Sequence, residues 1–171
     1  IELTGLAAVT QTTLVSATGT QTASTSIPET EVYAGGAFAI VENSATRNVT
    51  NITLTESGTI NGATGLSNIE LYYDLDTTSP YNCASESYGG SESQFGSTDS
   101  NGFSGADGTS SFTDAVSISP TQALCLYVLY DVTSSAVDGE TIELSIASPE
   151  SDVLVTNSGT VGPTETEAIS G

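Results

Sequence analysis

The chain of 171 residues contains no histidine, methionine, tryptophan or lysine, and its single basic residue is Arg47. Without histidine, no Ser-His-Asp or Cys-His catalytic arrangement can form, and without lysine neither a Schiff base nor a Ser-Lys pair is available. A glycosidase with two carboxylates remains chemically possible, but tryptophan, the commonest platform for stacking on sugars, is missing. We therefore predict that the protein is not an enzyme.

The charge is almost entirely of one sign, with 21 acidic residues and a formal net charge of −20. Nucleic acid binding depends on Lys and Arg to neutralise phosphates, and binding to an anionic membrane surface depends on the same residues. We therefore expect neither partner. Because like charges repel one another, we expect high salt or bound divalent cations to screen them, with Ca²⁺ as the candidate cofactor.

No run of residues approaches the roughly 20 apolar positions that a transmembrane helix needs, so we expect no membrane insertion. The chain opens at Ile1 without a methionine, which suggests a processed N-terminus. Ser, Thr, Gly, Ala and Val dominate the composition. These features predict an extracellular or cell-surface protein.

Two cysteines, Cys83 and Cys125, fit the same compartment. Because Cys125 lies in an apolar strand-like run and Cys83 just after a neighbouring one, we predict a disulfide between them. The alternative is a pair of buried free thiols. Neither thiol is expected to be catalytic, since no His or Lys is present to lower its pKa.

The most apolar part of the chain is the run Ala-Leu-Cys-Leu-Tyr-Val-Leu-Tyr-Asp-Val at residues 123–132. Its length and its β-branched and aromatic content are typical of a strand. Both of its faces are apolar, which is typical of a strand in the middle of a sandwich or at a subunit contact. We predict that it is the central strand.

The remaining pattern predicts an all-β fold, an antiparallel β-sandwich of jelly-roll or immunoglobulin-like type. No stretch of ten or more residues has a convincing helical period. Residues 77–111 are too long for a simple connection and are expected to form a functional or metal-ordered loop, or to be partly disordered. Further strands are predicted at residues 36–42, 48–56, 67–76, 112–118, 140–146 and 151–156.

The composition of the N-terminal region changes between residues 15 and 16, from apolar to rich in Ser and Thr. Residues 1–15 are an apolar, extended segment, residues 16–31 are a Ser/Thr-rich linker or edge strand, and residues 32–171 form the sandwich domain. An exposed apolar strand invites pairing with another chain. We predict that residues 1–15 are a donor strand that inserts into an adjacent subunit, with Leu3, Leu6 and Val9 in apolar pockets. The alternative is that this segment pairs within its own sandwich.

Acidic residues around the long loop are the best chemical signal. Asp74 and Asp76 lie at strand spacing before the loop, and Asp99 and Asp107 lie within it. Carboxylate oxygens are the ligands that Ca²⁺ prefers, so these four aspartates are the predicted metal ligands. The alternative is a solvated acidic surface, since no complete Asp-x-Asp-x-Asp-Gly loop is present.

Two glycosylation acceptor patterns occur in one predicted strand, at Asn48-Val-Thr50 and Asn51-Ile-Thr53. Because the two asparagines are three residues apart, we expect their side chains to point to opposite faces. Asn51 would then face outward and be the better acceptor. A chance match in a Thr-rich strand is the alternative.

Four segments share a pattern with a known group of proteins: residues 1–9, 51–58, 67–76 and 124–132, the last followed by Asp138-Gly139. Together they resemble the donor-strand-linked β-sandwich subunits of prokaryotic extracellular fibres: the TasA- and camelysin-type matrix proteins, archaeal bundling pilins and threads, and archaeal cannulae. The resemblance implies jelly-roll subunits that polymerise outside the cell and, for cannulae, assembly that depends on Ca²⁺. Because basic residues are nearly absent, subunits of this chain would lack ion-pair partners for one another, and we expect cations to bridge their interface instead.

The predicted function is therefore a structural subunit of an extracellular filament or tubule, a homopolymer assembled head to tail by donor-strand insertion and assisted by Ca²⁺. A second hypothesis is a monomeric cell-surface adhesin-like or carbohydrate-binding module. It would use the tyrosines in and near the long loop, Tyr72, Tyr73, Tyr81 and Tyr88. A third, an S-layer or cell-wall domain, differs from the first mainly in its lattice.

Overall fold

The computed structural model describes residues 12–171, and residues 1–11 lie outside this description. Short strands follow one another with a single helical turn, α1, near the C-terminus. The strands are β1 Thr13–Thr18, β2 Glu29–Tyr33, β3 Ala37–Glu42, β4 Arg47–Glu56, β5 Leu66–Asp76, β6 Ser93–Gln94, β7 Thr109–Ile118, β8 Ala123–Val132, β9 Leu144–Ile146, β10 Val153–Val155, β11 Val161–Gly162 and β12 Glu167–Ala168, and α1 is Pro149–Asp152.

The strands form two sheets. In the larger sheet the order is β11-β1-β3-β8-β5-β6. β3 pairs with the first half of β8, and β2 pairs with its second half on the same side. In the smaller sheet β4 is central, with β7 on one side and β10 and β9 on the other, followed by β12. All pairs except β1 with β11 are antiparallel. The prediction of an all-β, antiparallel sandwich is confirmed.

The predicted central strand is β8, and its bounds agree with the prediction. Its Leu124, Leu126 and Val128 face the core between the sheets. Its Cys125 and Tyr127 lie in a second apolar cluster on the outer face of the larger sheet. A strand covered on both sides tolerates apolar residues at every position, which explains the continuous run in the sequence.

The direction of the strands gives the sandwich two distinct ends. Thr13 at the start of β1 pairs with Glu42, and β8 begins on the same side. We call this side the entry end. β1 ends at Thr18, part-way along the sheet, whereas β8 continues to Val132 at the other side, which we call the groove end. The ten residues of β8 span about 33 Å between the two ends at ~3.3 Å per residue.

The predicted boundary between a donor strand and a linker, at residues 15 and 16, falls inside β1. Thr13 and Val15 are buried, and β1 pairs with β3 along its whole length. Residues 13–15 thus belong to the subunit's own sheet, because their alternate side chains fill its core. Residues 16–31 likewise contain the end of β1 and the start of β2. Leu3, Leu6 and Val9 lie outside the described residues.

Two other predicted strands are shorter than expected. Of residues 140–146 only β9, Leu144–Ile146, is a strand, because the preceding residues form a turn in which Glu140 N–H donates to Val137 O. Of residues 151–156 the first two belong to α1, and only β10, Val153–Val155, is extended. Pro149 at the start of α1 fits that helical turn.

Candidate functional site: the groove at one end of the sandwich

The described chain enters the sandwich at Thr12, held on both sides by backbone bonds. The N–H groups of Thr12 and Thr13 both donate to the carbonyl oxygen of Thr160, each over 3.0 Å. On the other side, Asn43 N–H donates to the carbonyl oxygen of Thr12 over 2.8 Å. Thr12 is therefore a fixed point of the chain at the entry end.

A buried ion pair closes the entry end. Oε2 of Glu42 lies 3.0 Å from Nε of Arg47 and accepts a hydrogen bond from Thr13 Oγ1 over 2.7 Å. The Nε–H group of Arg47 is not aligned for a hydrogen bond, so the contact is an ion pair. Nη1 of Arg47 donates to the carbonyl oxygen of Asn157 over 2.6 Å. Arg47 thus joins β3, β4 and the loop after β10.

The environment of Glu42 favours its charged form. Burial opposes ionisation, but hydrogen bonds from Thr13 and Ser44 and the charge of Arg47 together hold the pKa of Glu42 below its ordinary value. Both the N–H and the hydroxyl of Ser44 donate to Oε1 of Glu42 at 3.0 Å. With both oxygens satisfied, this carboxylate is stable when buried.

An apolar groove opens at the opposite end of the sandwich. Its volume is about 480 Å³, and its floor includes residues of the main core. The loop after β1 forms one wall, and the segment after β8 forms the other. The side chains that make it apolar are Ile27, Ala34, Ile60, Tyr130, Val132, Ala136, Val137 and Ile142.

The rim of the groove combines exposed apolar side chains with carboxylates. Ile27 is 41% exposed and Val137 is 62% exposed, whereas large apolar residues elsewhere in the described chain are mostly buried. Asp138, Glu140 and Glu143 also line the groove. An exposed apolar patch with a polar rim is typical of an interaction site.

Hydrogen bonds fix the two walls of the groove. Oε1 of Gln21 accepts from Leu144 N–H over 3.2 Å, which ties the loop after β1 to the smaller sheet. On the other wall, Thr141 N–H donates to Thr59 Oγ1 over 2.8 Å, and Thr59 N–H donates to Thr141 Oγ1 over 3.1 Å. The groove is therefore formed before any ligand binds.

A buried carboxylate without a cation lies behind the groove. Oε1 of Glu56 accepts from Gly58 N–H over 2.6 Å and from Glu143 N–H over 3.3 Å, but Oε2 has no hydrogen-bond partner among residues 12–171. Burial raises the pKa of Glu56, and the charges of Asp107 and Glu143 add to the effect, while the two backbone hydrogen bonds oppose it. The protonated form is thus favoured more than in an ordinary glutamate.

The four predicted metal ligands do not lie in one place. Asp74 and Asp76 lie at the entry end of β5, whereas Asp99 exchanges two backbone hydrogen bonds with Ile69. Seven residues of strand, about 23 Å, separate Ile69 from Asp76. Asp107 precedes Gly108, whose carbonyl accepts from Glu56 N–H at the groove end. Within residues 12–171, no group of three or more His, Cys, Asp or Glu side chains is arranged to hold a metal ion.

Two of these aspartates instead stabilise the backbone of the long loop. Asp76 is buried and accepts from the N–H groups of Thr78, Asn82 and Cys83 over 2.8, 3.2 and 3.2 Å. Asp99 accepts from Asn101 N–H over 3.1 Å and from a serine hydroxyl of β7 over 2.7 Å. Side chains that hydrogen-bond the backbone in this way help to order the loop.

The two glycosylation candidates, Asn48 and Asn51, lie on β4. The expectation that they point to opposite faces is wrong, because Val49 and Ile52 are both fully buried although they are three residues apart. A bulge between Val49 and Asn51 changes the alternation there. Both asparagines are partly exposed and point away from the core. Whether either carries a glycan stays a prediction.

The predicted disulfide is confirmed: Cys83 and Cys125 are bonded, with Cα atoms 5.6 Å apart. It ties the long loop to β8 on the outer face of the larger sheet. Three of the four tyrosines of the predicted carbohydrate-binding module also lie on this face. Tyr72, Tyr81 and Tyr88 contact this face, whereas Tyr73 packs edge-on against Phe95 on the core side.

The chain matches no protein-family model, and no curated protein or solved structure is significantly similar to it. No helix of residues 12–171 is long and apolar enough to span a membrane.

The sequence did not reveal the groove, because its lining comes from several separate segments that are mostly polar. One signal was present: Ile27 and Val137 are isolated apolar residues within polar stretches that lack strand periodicity. An apolar residue in a loop is uninformative by itself. Two of them become informative once the fold brings their loops to the same groove.

Proposed function

We propose that the protein is a structural subunit of an extracellular filament or tubule, in which residues 1–11 of one subunit insert as a donor strand into the groove of the next. One arrangement supports this above all. The apolar N-terminal segment joins the sandwich at the entry end, and the apolar groove opens at the opposite end. A contact between opposite ends is heterologous and generates an open polymer.

The reach of the segment and the chemistry of the groove are compatible. Eleven extended residues span up to about 36 Å, long enough to enter a groove on an adjacent molecule. Burying Leu3, Leu6 and Val9 would contribute about 1.5–3 kcal/mol for each side chain. That gain, with backbone hydrogen bonds, offsets the entropy of ordering the segment. The Cys83–Cys125 disulfide supports an oxidising, extracellular setting.

Cations are expected to assist assembly, because each subunit carries a net charge of −20 and the groove rim holds Asp138, Glu140 and Glu143. Millimolar Ca²⁺ should increase the polymer yield more than NaCl of matched ionic strength, since a divalent ion can bridge carboxylates from two subunits. Sedimentation of the polymer in the two salts measures the difference. Equal yields would reduce the role of Ca²⁺ to screening.

The insertion is tested by charging each partner surface separately. Leu3→Asp with Leu6→Asp should abolish polymerisation, and Ile27→Asp with Val137→Asp on the groove rim should do the same. Thr4→Asp with Thr10→Asp is the matched control for the segment. Leu154→Asp, at an apolar residue 49% exposed on β10, is the control for the groove. Both control proteins should polymerise, as seen by negative-stain microscopy.

Mixing the two assembly-deficient proteins gives the sharpest result. The first keeps an intact groove and the second an intact donor segment, so the mixture should form heterodimers and stop there. Analytical ultracentrifugation distinguishes monomers, dimers and polymers. Normal polymers from the Leu3/Leu6 variant would show that the segment pairs within its own subunit. That result would remove the support for donor-strand insertion, whereas a monomeric unmodified protein would favour the alternative of a binding module.

A further inference from the structure

A cluster of tyrosines covers the outer face of the larger sheet, away from the groove at its end. The ring centre of Tyr88 lies 5.5 Å from those of Tyr33 and Tyr72 and 6.1 Å from that of Tyr127. Tyr127 is buried, whereas Tyr33, Tyr72 and Tyr88 are each partly exposed. Partly exposed aromatic rings offer faces to which a cation is attracted.

A polar depression of about 430 Å³ adjoins this cluster on the same face. Leu129 of β8 lines it together with the carboxylates of Glu31, Glu70 and Asp131. The two strands that flank this part of β8, β2 and β5, each have a bulge here. The depression thus combines an apolar residue with three acceptor groups.

Hydrogen bonds hold the depression in shape. Oδ1 of Asp131 accepts from Glu31 N–H over 2.8 Å, and Oδ2 accepts from Asn68 Nδ2 over 2.7 Å. Glu31 and Asn68 have positive φ angles of 55° and 48°, and each is the residue within its strand's bulge that contacts Asp131. Asp131 therefore ties both neighbouring strands to β8. The carboxylate of Glu31 accepts no hydrogen bond from these groups.

The carboxylates and the phenols influence one another. Burial raises the pKa of Tyr72, and the nearby charges of Glu70 and Glu31 raise it further. Burial likewise raises the pKa of Tyr88, with additional contributions from Glu92, Glu70 and Glu31. Both phenols therefore stay neutral next to a negative surface, so the surface attracts cations through rings and carboxylates together.

We propose that this tyrosine–carboxylate face docks a basic polypeptide segment of another protein, with a Lys or Arg side chain lying over Leu129 between Glu31 and Glu70. The aliphatic stem of such a side chain would contact the leucine, and its charged head would reach the carboxylates and the ring of Tyr72. This inference is independent of the polymer proposed above.

Charge complementarity selects the partner. A second copy of the chain offers no free basic side chain, because the chain has no lysine or histidine and its single arginine is held by Glu42 and Asn157. A polypeptide fits better than a small cation, because negative charge continues along the face beyond the depression. Burial raises the pKa of Tyr127, and the charges of Glu86, Asp74 and Glu92 raise it further, so these carboxylates lie near that ring. Tyr127 lies about 13 Å along β8 from Asp131.

Titration calorimetry with tetralysine, blocked at both ends, tests the proposal on the full chain at a fixed ionic strength of 50 mM. Glu31→Gln with Glu70→Gln should weaken binding at least tenfold. Glu150→Gln with Glu165→Gln is the matched control, because it removes two charges at exposed positions elsewhere. Its affinity should change less than twofold. Tyr72→Leu, which keeps an apolar side chain but removes the ring, should weaken binding about threefold.

Two outcomes would overturn the proposal. If the control pair weakens tetralysine binding as much as the Glu31/Glu70 pair, the interaction depends on total charge and not on this face. If spermine, which carries the same number of positive charges, binds as tightly as tetralysine and with the same response to the variants, the site takes small polyamines. Thermal unfolding of each variant verifies that the fold is retained.

Discussion

At the entry end of the sandwich, Arg47 and Glu42 join strands of both sheets, and every carboxylate oxygen of Glu42 has a partner. At the groove end, the apolar side chains of Ile27 and Val137 are exposed at the rim, and one oxygen of the buried Glu56 has no partner among residues 12–171. The first end is closed by polar contacts, and the second keeps apolar side chains exposed to solvent.

The single basic residue accounts for much of this difference. A chain with one arginine can compensate one buried carboxylate with a cation, and Arg47 does so at the entry end. Glu56 has no such partner, and the groups around it include further acids, Asp107 and Glu143. The groove end thus has more exposed apolar surface than the entry end, and its buried carboxylate is not compensated by a cation. An incoming segment would bury what is left exposed there.

Removing the arginine should have the largest effect on stability. Arg47→Ala leaves Glu42 buried without a cation and removes the bond to Asn157 O, so we expect a loss of about 3 kcal/mol in the free energy of unfolding. Urea unfolding followed by circular dichroism measures it. Arg47→Lys, which keeps a charge but not the geometry, should lose less. A loss below 1 kcal/mol for Arg47→Ala would show that the ion pair does not close the entry end.

Much of the fold follows from the sequence because its signals are local. The ten residues of β8 have an apolar composition that suits only a strand covered on both faces, and the bounds of the strand were predicted correctly. The disulfide followed from the same reasoning, because Cys125 lies in that strand and Cys83 follows β5, the neighbouring strand.

Features that depend on strand register and on bulges could not be predicted from the sequence. A period of two places Asn48 and Asn51 on opposite faces, and one extra residue in the strand brings them to the same face. The predicted metal ligands were expected to lie close to one another because Asp76 and the long loop are adjacent in sequence. The antiparallel return of the chain places Asp99 beside Ile69, at the other part of β5.

The same substitution at the two buried glutamates should change stability in opposite directions. Glu42→Gln removes the charge that compensates Arg47, so at pH 7 we expect a loss of about 2 kcal/mol in the free energy of unfolding. Glu56→Gln removes a buried charge that has no cation but puts an amide NH2 group, which needs an acceptor of its own, in the place of the unpaired oxygen, so we expect a net gain of about 1 kcal/mol. Gln at position 56 can still accept the N–H bonds of Gly58 and Glu143.

The contributions of Glu42 and Glu56 to stability should change with pH in opposite directions. The pKa of Glu42 is lowered from 4.5 in the folded state, so its stabilisation is present above that value and is lost as the pH falls through the folded pKa. The pKa of Glu56 is raised from 4.5, so its contribution is fully present below that value and is lost as the pH rises through the folded pKa. As the pH falls from the folded pKa of Glu56 to 4.5, the advantage of Glu56→Gln should therefore disappear. The penalty of Glu42→Gln should stay complete down to about pH 4.5 and decline only below it, until the folded Glu42 is protonated. Thermal unfolding of both variants and the unmodified protein from pH 3 to pH 8 measures both trends, and losses of equal sign at pH 7 would mean that the two ends are electrostatically alike.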